Sequence, residues 1–198
     1  MISKSYSEAD LLYYDHCNRR GKSFFRGMNK LLGVPLNIDI PSVHLTRLTT
    51  ICRDFRQKTG AILFINKLIE FLVQDFIEEI TTTVNKKEIY RRILNMDHSI
   101  EISGIQENKT SKIHSLPNSY FSNLQTTRIV FKYDDIYRLE VTLSDLEIIH
   151  EHDYTVEKLI GYLVSAFVID IQQSGLGKVM KELIYKLDSE EERSNDYN

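Results

Sequence analysis

The sequence has no tryptophan, two cysteines, three prolines and eight glycines among its 198 residues. The two cysteines, Cys17 and Cys52, are too few for a disulfide framework, and neither lies in a paired metal-binding spacing. The most apolar segment, residues 61–80, is interrupted by five charged side chains, which argues against a membrane span. The first residues lack the apolar stretch of a secretory signal, so we expect a cytoplasmic protein.

The chain is rich in apolar and aromatic residues. Hydrophobic residues make up 42% of the sequence, and there are 11 tyrosines and nine phenylalanines. A chain of this length and composition can bury one sizeable core. We therefore predict a single domain over residues 1–188, followed by a polar tail at residues 189–198 that we expect to be disordered.

Most of the chain has helical periodicity. Apolar residues recur at steps of three and four in five segments, which predicts helices at residues 42–58, 61–83, 86–94, 156–173 and 178–187. Ser7, with acidic residues after it, is a typical helix start, so a further helix is predicted from there. Gly60 is placed to end the first of the long helices.

Two segments indicate extended structure instead. Residues 127–144 alternate apolar and polar side chains, and Asp134 and Asp135 suit a tight turn, so the pattern predicts a β-hairpin. Residues 34–41 contain two prolines and indicate an extended linker. The predicted fold is α+β, with N-terminal helices, a central β-hairpin or small antiparallel sheet, and two C-terminal helices.

Charge is distributed unevenly along the chain, although the net charge is only −3. Residues 1–67 carry 11 lysines and arginines against five acidic residues, whereas residues 68–198 carry 14 against 23. The difference is consistent with a basic face toward nucleic acid or acidic protein and an acidic face toward basic protein. An uneven solvated surface without a partner is the alternative interpretation.

The basic N-terminal third contains a segment in which cations and aromatics are interleaved. This combination can bind phosphates and stack on bases. The alternative is that its apolar side chains enter the core while its cations stay in solvent. The candidate nucleic-acid-binding residues, which include cations of the following helix, are Arg19, Arg20, Lys22, Arg26, Arg47, Arg53 and Arg56.

A protein-binding surface is predicted in the acidic part of the chain. Residues 107–123 are polar, contain a proline and are predicted to form a long loop, which presents Tyr120 and Phe121. Aromatic side chains are frequent anchors of protein interfaces. Glu78 and Glu79 are the candidate acidic contacts.

We identify no catalytic motif, and we predict that the protein is not an enzyme and needs no cofactor. His150 and His152 alternate as in a strand and could contact a metal only with a third ligand, so no metal site is assigned. Cys17 follows His16 directly, but neighbours on a helix point in different directions and do not form a nucleophile and base. The glycines before Lys178 follow a helix rather than a strand, which favours a helix break over a phosphate loop.

In length, mass and composition the chain resembles the staphylococcal phage early proteins that bind the housekeeping sigma factor of the host RNA polymerase. The resemblance extends over all 198 residues in general character and involves no motif, so it assigns no role to any residue. It implies binding to the promoter-recognition domain of sigma, with promoter DNA close by, and inhibition of host transcription in the bacterial cytoplasm. Direct nucleic-acid binding through the basic third is the alternative.

Overall fold

The computed structural model of the chain describes residues 4–17, 32–93, 123–149 and 151–195. These residues form two strands, β1 (Val34–Pro41) and β2 (Leu124–Phe131), and several helices. The helices are α1 (Leu11–Cys17), α2 (Ser42–Thr59), α3 (Ile65–Thr82), α4 (residues 86–93), α5 (Tyr133–Ile149), α6 (Val156–Ser174) and α7 (Leu176–Asn195). The α+β fold and its small antiparallel sheet are confirmed. None of the helices in the described ranges is long and apolar enough to cross a membrane.

The two strands pair antiparallel, with Val34 opposite Phe131 and Pro41 opposite Leu124. Side chains alternate between the two faces of a strand, and in β1 every second residue is buried. The core face of β1 is formed by Val34, Leu36, Ile38 and Ile40, whereas Pro35, Asn37 and Asp39 are exposed. The sheet therefore has one core face and one open face.

The predicted hairpin over residues 127–144 is wrong in its second half. Tyr133–Ile149 is a helix, and the partner of β2 is β1. Its buried residues Tyr133, Ile136, Leu139 and Leu143 have helical spacing. Asp134 and Asp135, predicted as a turn, lie in the first turn of α5, where the helix dipole favours negative charge.

Residues 34–41 are extended, as predicted, but they form a paired strand rather than a linker. Proline lacks the N–H group that a ladder needs, so it is tolerated mainly at strand ends and edges. Pro41 is the last residue of β1 and Pro35 the second. The prolines thus leave the central residues of the strand able to pair.

The long helices are confirmed with small differences in their ends. Gly60 ends α2 in the left-handed conformation, with φ of 78°, and Thr155 caps α6 by accepting a hydrogen bond from the amide of Lys158. The helix predicted from Ser7 begins four residues later, at Leu11. The Ser7 hydroxyl accepts from the amides of Ala9 and Asp10 as a helix cap does, but Asp10 has a φ of 49°, which is outside the helical region and ends that turn. The last helix is longer than predicted at both ends.

Helix α6 lies close against β1 because residue 161 is glycine. A Cβ atom at Gly161 would lie 2.9 Å from the Asp39 carbonyl oxygen, which is closer than such atoms approach. This oxygen belongs to the backbone, so it cannot turn aside as a flexible side chain could. Gly161 therefore sets the distance between α6 and the strand.

We expect Gly161→Ala to lower the free energy of unfolding by about 1–3 kcal/mol, the range for overpacking. Gly177 is the matched control, since it is also helical but has no neighbour within 4 Å of an added Cβ. There the better helix propensity of alanine should stabilise the protein by up to about 1 kcal/mol. Urea denaturation of both variants tests this, and a gain in stability for both would contradict the close packing.

Candidate functional site

A groove with a volume of about 720 Å³ lies between the first half of α6, the open side of β1 and residues 5–8. Pro41, Leu124, Gly161 and Tyr162 supply apolar surface to it. Leu124 is 59% exposed, although leucine is usually buried. The groove is therefore a concave and partly apolar surface that is open to solvent.

Three carboxylates line this groove: Glu8, Asp39 and Glu157. Each is held by a hydrogen bond, since Asn37 Nδ2 donates to Glu8 (2.9 Å), Thr126 Oγ1 donates to Asp39 (2.6 Å), and the Glu8 amide donates to Glu157 (2.8 Å). These bonds connect four separate parts of the chain: the N-terminal segment, β1, β2 and α6. They fix negative charge along the groove.

The one lysine in the lining does not offset this charge. Lys158 Nζ lies 2.8 Å from a carboxylate oxygen of Asp153 and 3.2 Å from the Asp153 carbonyl oxygen. This hydrogen bond, together with the charge of Lys158, holds the pKa of Asp153 below its usual value. The Lys158–Asp153 pair is neutral overall, and the groove lining stays acidic.

A buried carboxylate positions the N-terminal wall of the groove. Glu140 on α5 is fully buried and accepts hydrogen bonds from the Ser7 hydroxyl and from the amides of Leu11 (3.0 Å) and Leu12 (2.6 Å). Burial raises the pKa of Glu140, while these hydrogen bonds act in the opposite direction. Glu140 thus binds the start of α1 and holds Ser7 beside the groove.

A second contact fixes the same segment at its beginning. Lys4 Nζ lies 2.5 Å from Glu147 and also donates to the carbonyl oxygen of His152, and the Val156 amide donates to the carbonyl oxygen of Tyr6 (2.8 Å). The hydrogen bond from Lys4 lowers the pKa of Glu147. The segment that includes Lys4 and Tyr6 is therefore attached to α5 and to the start of α6.

Ser165, at one end of the groove, forms a hydrogen bond with a histidine. His44 Nδ1 lies 3.0 Å from Ser165 Oγ, and both side chains are buried. Burial, and then the charge of Arg47, lower the pKa of His44 to about 4. A general base works best with a pKa near the working pH, so His44 is too weak a base to activate the serine. The pair connects α2 to α6.

The pKa of His44 predicts how stability depends on pH. An unfolded histidine has a pKa of about 6.5, so between pH 6.5 and 4 the unfolded chain binds a proton that the folded chain does not. The contribution of His44 to the free energy of unfolding is therefore fully present above pH 6.5 and is lost as the pH falls toward 4. We expect a loss of about 2 kcal/mol between pH 7.5 and pH 5 from this group. Urea titrations of the wild type and His44→Gln at both pH values test it, and equal losses would contradict the assignment.

His152 and Cys52, which the sequence assigns to no metal site or disulfide, have protein surroundings in the fold. Residues 151–155 connect α5 and α6 and are not a strand, and both ring nitrogens of His152 form hydrogen bonds, with the Leu143 carbonyl and the Tyr154 amide. His150 lies outside the described residues. Burial raises the pKa of the Cys52 thiol to about 11, so it stays protonated. Within the described ranges, no group of three or more metal-ligating side chains comes together.

The predicted protein-binding residues are not brought together in the described part of the chain. Glu78 is exposed on α3, whereas Glu79 is only partly exposed and forms an ion pair with Arg92 of α4. Tyr120 and Phe121 lie outside the described residues. The sequence did not predict the groove, because the residues that line it are distant in sequence and belong to no motif.

Of the candidate nucleic-acid-binding residues, three lie in the described part of the chain and four lie outside it. Arg47, Arg53 and Arg56 are exposed on α2, as is Lys58, and Asp54 is the one acidic residue of that helix. At about 100° per residue, Arg47 and Arg56 lie on opposite flanks of α2, so the cations do not form one stripe. Arg19, Arg20, Lys22 and Arg26 lie outside the described residues.

No family model, curated protein or solved structure matches this chain.

Proposed function

We propose that this protein is a non-enzymatic regulator that binds another protein, and that the groove is its contact surface. The observation that carries the proposal is the combination of the exposed Leu124 with the three fixed carboxylates Glu8, Asp39 and Glu157. Apolar surface provides affinity in protein interfaces, and charge provides specificity and faster association. A basic protein segment complements such a groove.

The partner we propose is the housekeeping sigma factor of bacterial RNA polymerase. The support is the resemblance to sigma-binding phage proteins together with the acidic groove. A domain that recognises promoters needs cationic side chains to bind DNA phosphates. A protein that covers those side chains with carboxylates competes with promoter DNA and inhibits transcription.

Direct binding of nucleic acid is the second candidate function. It is favoured by α2, which has three exposed arginines and an exposed lysine against one acidic residue. Phosphate contacts release counterions, so the logarithm of the affinity would fall steeply with the logarithm of salt concentration. The acidic groove would contribute nothing to this activity.

The test is binding of purified sigma factor and of promoter DNA, separately and together, across a salt series. We expect micromolar or tighter binding of sigma, and a loss of at least about ten-fold, or about 1.4 kcal/mol, for Asp39→Lys. Glu78→Lys changes the charge equally at an exposed site on α3 and is the matched control. A larger loss for Glu78→Lys would place the contact at the site predicted from sequence instead of the groove.

Two results would contradict the assignment of sigma. One is the absence of sigma binding at micromolar concentrations. The other is binding of promoter DNA alone with a steep salt dependence, weakened by Arg53→Glu and unchanged by Asp39→Lys. The second result would favour the nucleic-acid function.

A further inference from the structure

The prolines of β1 determine which way the backbone groups of the sheet point. In an antiparallel pair, residues alternate between positions that exchange hydrogen bonds with the partner strand and positions whose N–H and C=O face away from it. Pro35 and Pro41 have no N–H, so at an inward position they would leave gaps in the ladder; they take positions that face away. By alternation, the residues of β2 whose backbone groups face away from β1 are Leu124, Thr126, Arg128 and Val130.

The outer edges of the two strands differ. The outer edge of β1 is closed, because its two prolines cannot donate and α6 lies against its middle, where a Cβ atom at Gly161 would be 2.9 Å from the outward-facing carbonyl oxygen of Asp39. The outer edge of β2 is not closed in this way. Within the described residues no backbone hydrogen bond reaches its four outward-facing residues, and their side chains are exposed. An edge of this kind is a template for pairing with another strand.

The sequence of β2 is complementary to itself in one antiparallel register. When two copies of the strand pair about a two-fold axis through Thr127, every outward-facing residue meets another outward-facing residue. Leu124 then lies opposite Val130, which brings together two apolar side chains that are 59% and 49% exposed in the single chain. An axis through Arg128 would set two arginines directly opposite each other, which is destabilising. An axis through Thr126 would place Val130 beyond the start of the other strand.

Charge is complementary in the same register. Arg128 is the one charged residue of β2, and it lies opposite Thr126 of the other copy. The hydroxyl of Thr126 donates to the Asp39 carboxylate (2.6 Å), which holds that carboxylate toward β2. Asp39 and Arg128 of the other copy are then two strands apart, about 10 Å at 4.8 Å per strand, and their side chains lie on the same open face. An extended arginine side chain covers this distance, so two such ion pairs form about the axis.

We propose that the chain forms a homodimer through the outer edge of β2, in which two copies build one four-stranded antiparallel sheet in the order β1–β2–β2–β1. The occupant of the edge is a second copy of this chain, because the apolar and charged side chains of β2 match those of the same strand in reverse. Both ends of the new sheet are closed β1 edges, so assembly stops at two copies. The inference goes beyond the proposed function, and its test needs no other protein.

Sedimentation equilibrium of the purified full chain tests for the dimer, which we expect to be reversible and detectable at protein concentrations up to about 1 mM. Arg128→Glu sets a carboxylate against Asp39 of the other copy and should weaken the dimer at least ten-fold. Arg91→Glu makes the same change at an exposed site on α4 and should change the Kd less than two-fold. Arg128 does not line the groove, so binding of sigma by Arg128→Glu is a separate measurement. A chain that stays monomeric, larger assemblies, or equal effects of the two variants would overturn the inference.

Single cysteines test the register. In the proposed pairing Thr127 lies opposite itself, at a position where the two Cα atoms are about 4.5 Å apart, which a disulfide can span. The two copies of Gln125 are offset by four residues along the strands, about 13 Å, which a disulfide cannot span. Thr127→Cys should therefore form a covalent dimer on mild oxidation, and Gln125→Cys, which has the same two native cysteines, should not. Equal cross-linking of both variants, or none in Thr127→Cys, would overturn the pairing.

Discussion

Replacing Glu140 with alanine is expected to lower the free energy of unfolding by about 3 kcal/mol. The substitution leaves the amides of Leu11 and Leu12 and the hydroxyl of Ser7 without their acceptor in a buried site. Each unsatisfied buried group costs about 1–3 kcal/mol, and relief from burying the carboxylate offsets part of the sum. Chemical denaturation at neutral pH measures the change.

Two further variants make this test specific. Glu78→Ala is the same substitution at an exposed site and should change stability by no more than about 0.5 kcal/mol. Glu140→Gln keeps the size and one acceptor oxygen, so it should fall between the wild type and Glu140→Ala. If Glu140→Ala were as stable as Glu78→Ala, the carboxylate would not hold α1 as described.

Replacing Phe71 with alanine should cost about 3–5 kcal/mol, the usual range for truncating a buried phenylalanine. Phe71 is 2% exposed on α3, and the ammonium groups of Lys67 and Lys186 lie 4.9 Å and 5.8 Å from the centre of its ring. Truncation therefore removes core packing and two cation–π contacts together. Thermal and urea denaturation both report the loss.

Phe167 provides the comparison for this prediction. The periodicity of the sequence places both phenylalanines on dense apolar helical faces, but the structure leaves Phe167 only partly buried. Phe167→Ala should thus cost clearly less than Phe71→Ala. Equal costs would mean that α6 is packed more deeply than described.

Helices with a clear apolar stripe were predictable from the sequence, whereas α5 was not. In α2 and α3 the buried residues follow one period, and Gly60 marks the end of α2. In α5, isoleucine, valine and tyrosine are interspersed with polar residues and also match the alternation of a strand. Packing in the folded chain decides between the two patterns, as buried Leu139 and Leu143 show.

For β1 the local signals opposed each other. Val34, Leu36, Ile38 and Ile40 alternate as in a half-buried strand, but the prolines at both ends indicate a break. The strand needs a partner from a distant part of the chain, and no local pattern identifies it. The groove was unpredictable for the same reason, because it combines residues 5–8, β1, the start of β2 and α6.

The pairing of β1 with β2 has a consequence for how the chain folds during synthesis. The nearest paired residues, Pro41 and Leu124, are 83 positions apart. At 5–20 residues per second, a ribosome takes roughly 4–17 seconds to make the chain between them. Throughout that interval the residues of β2 that pair with Leu36, Ile38 and Ile40 have not yet been made, so the nascent chain exposes an aggregation-prone segment. Expression at reduced temperature, or with chaperones that hold nascent chains, should increase the yield of native protein.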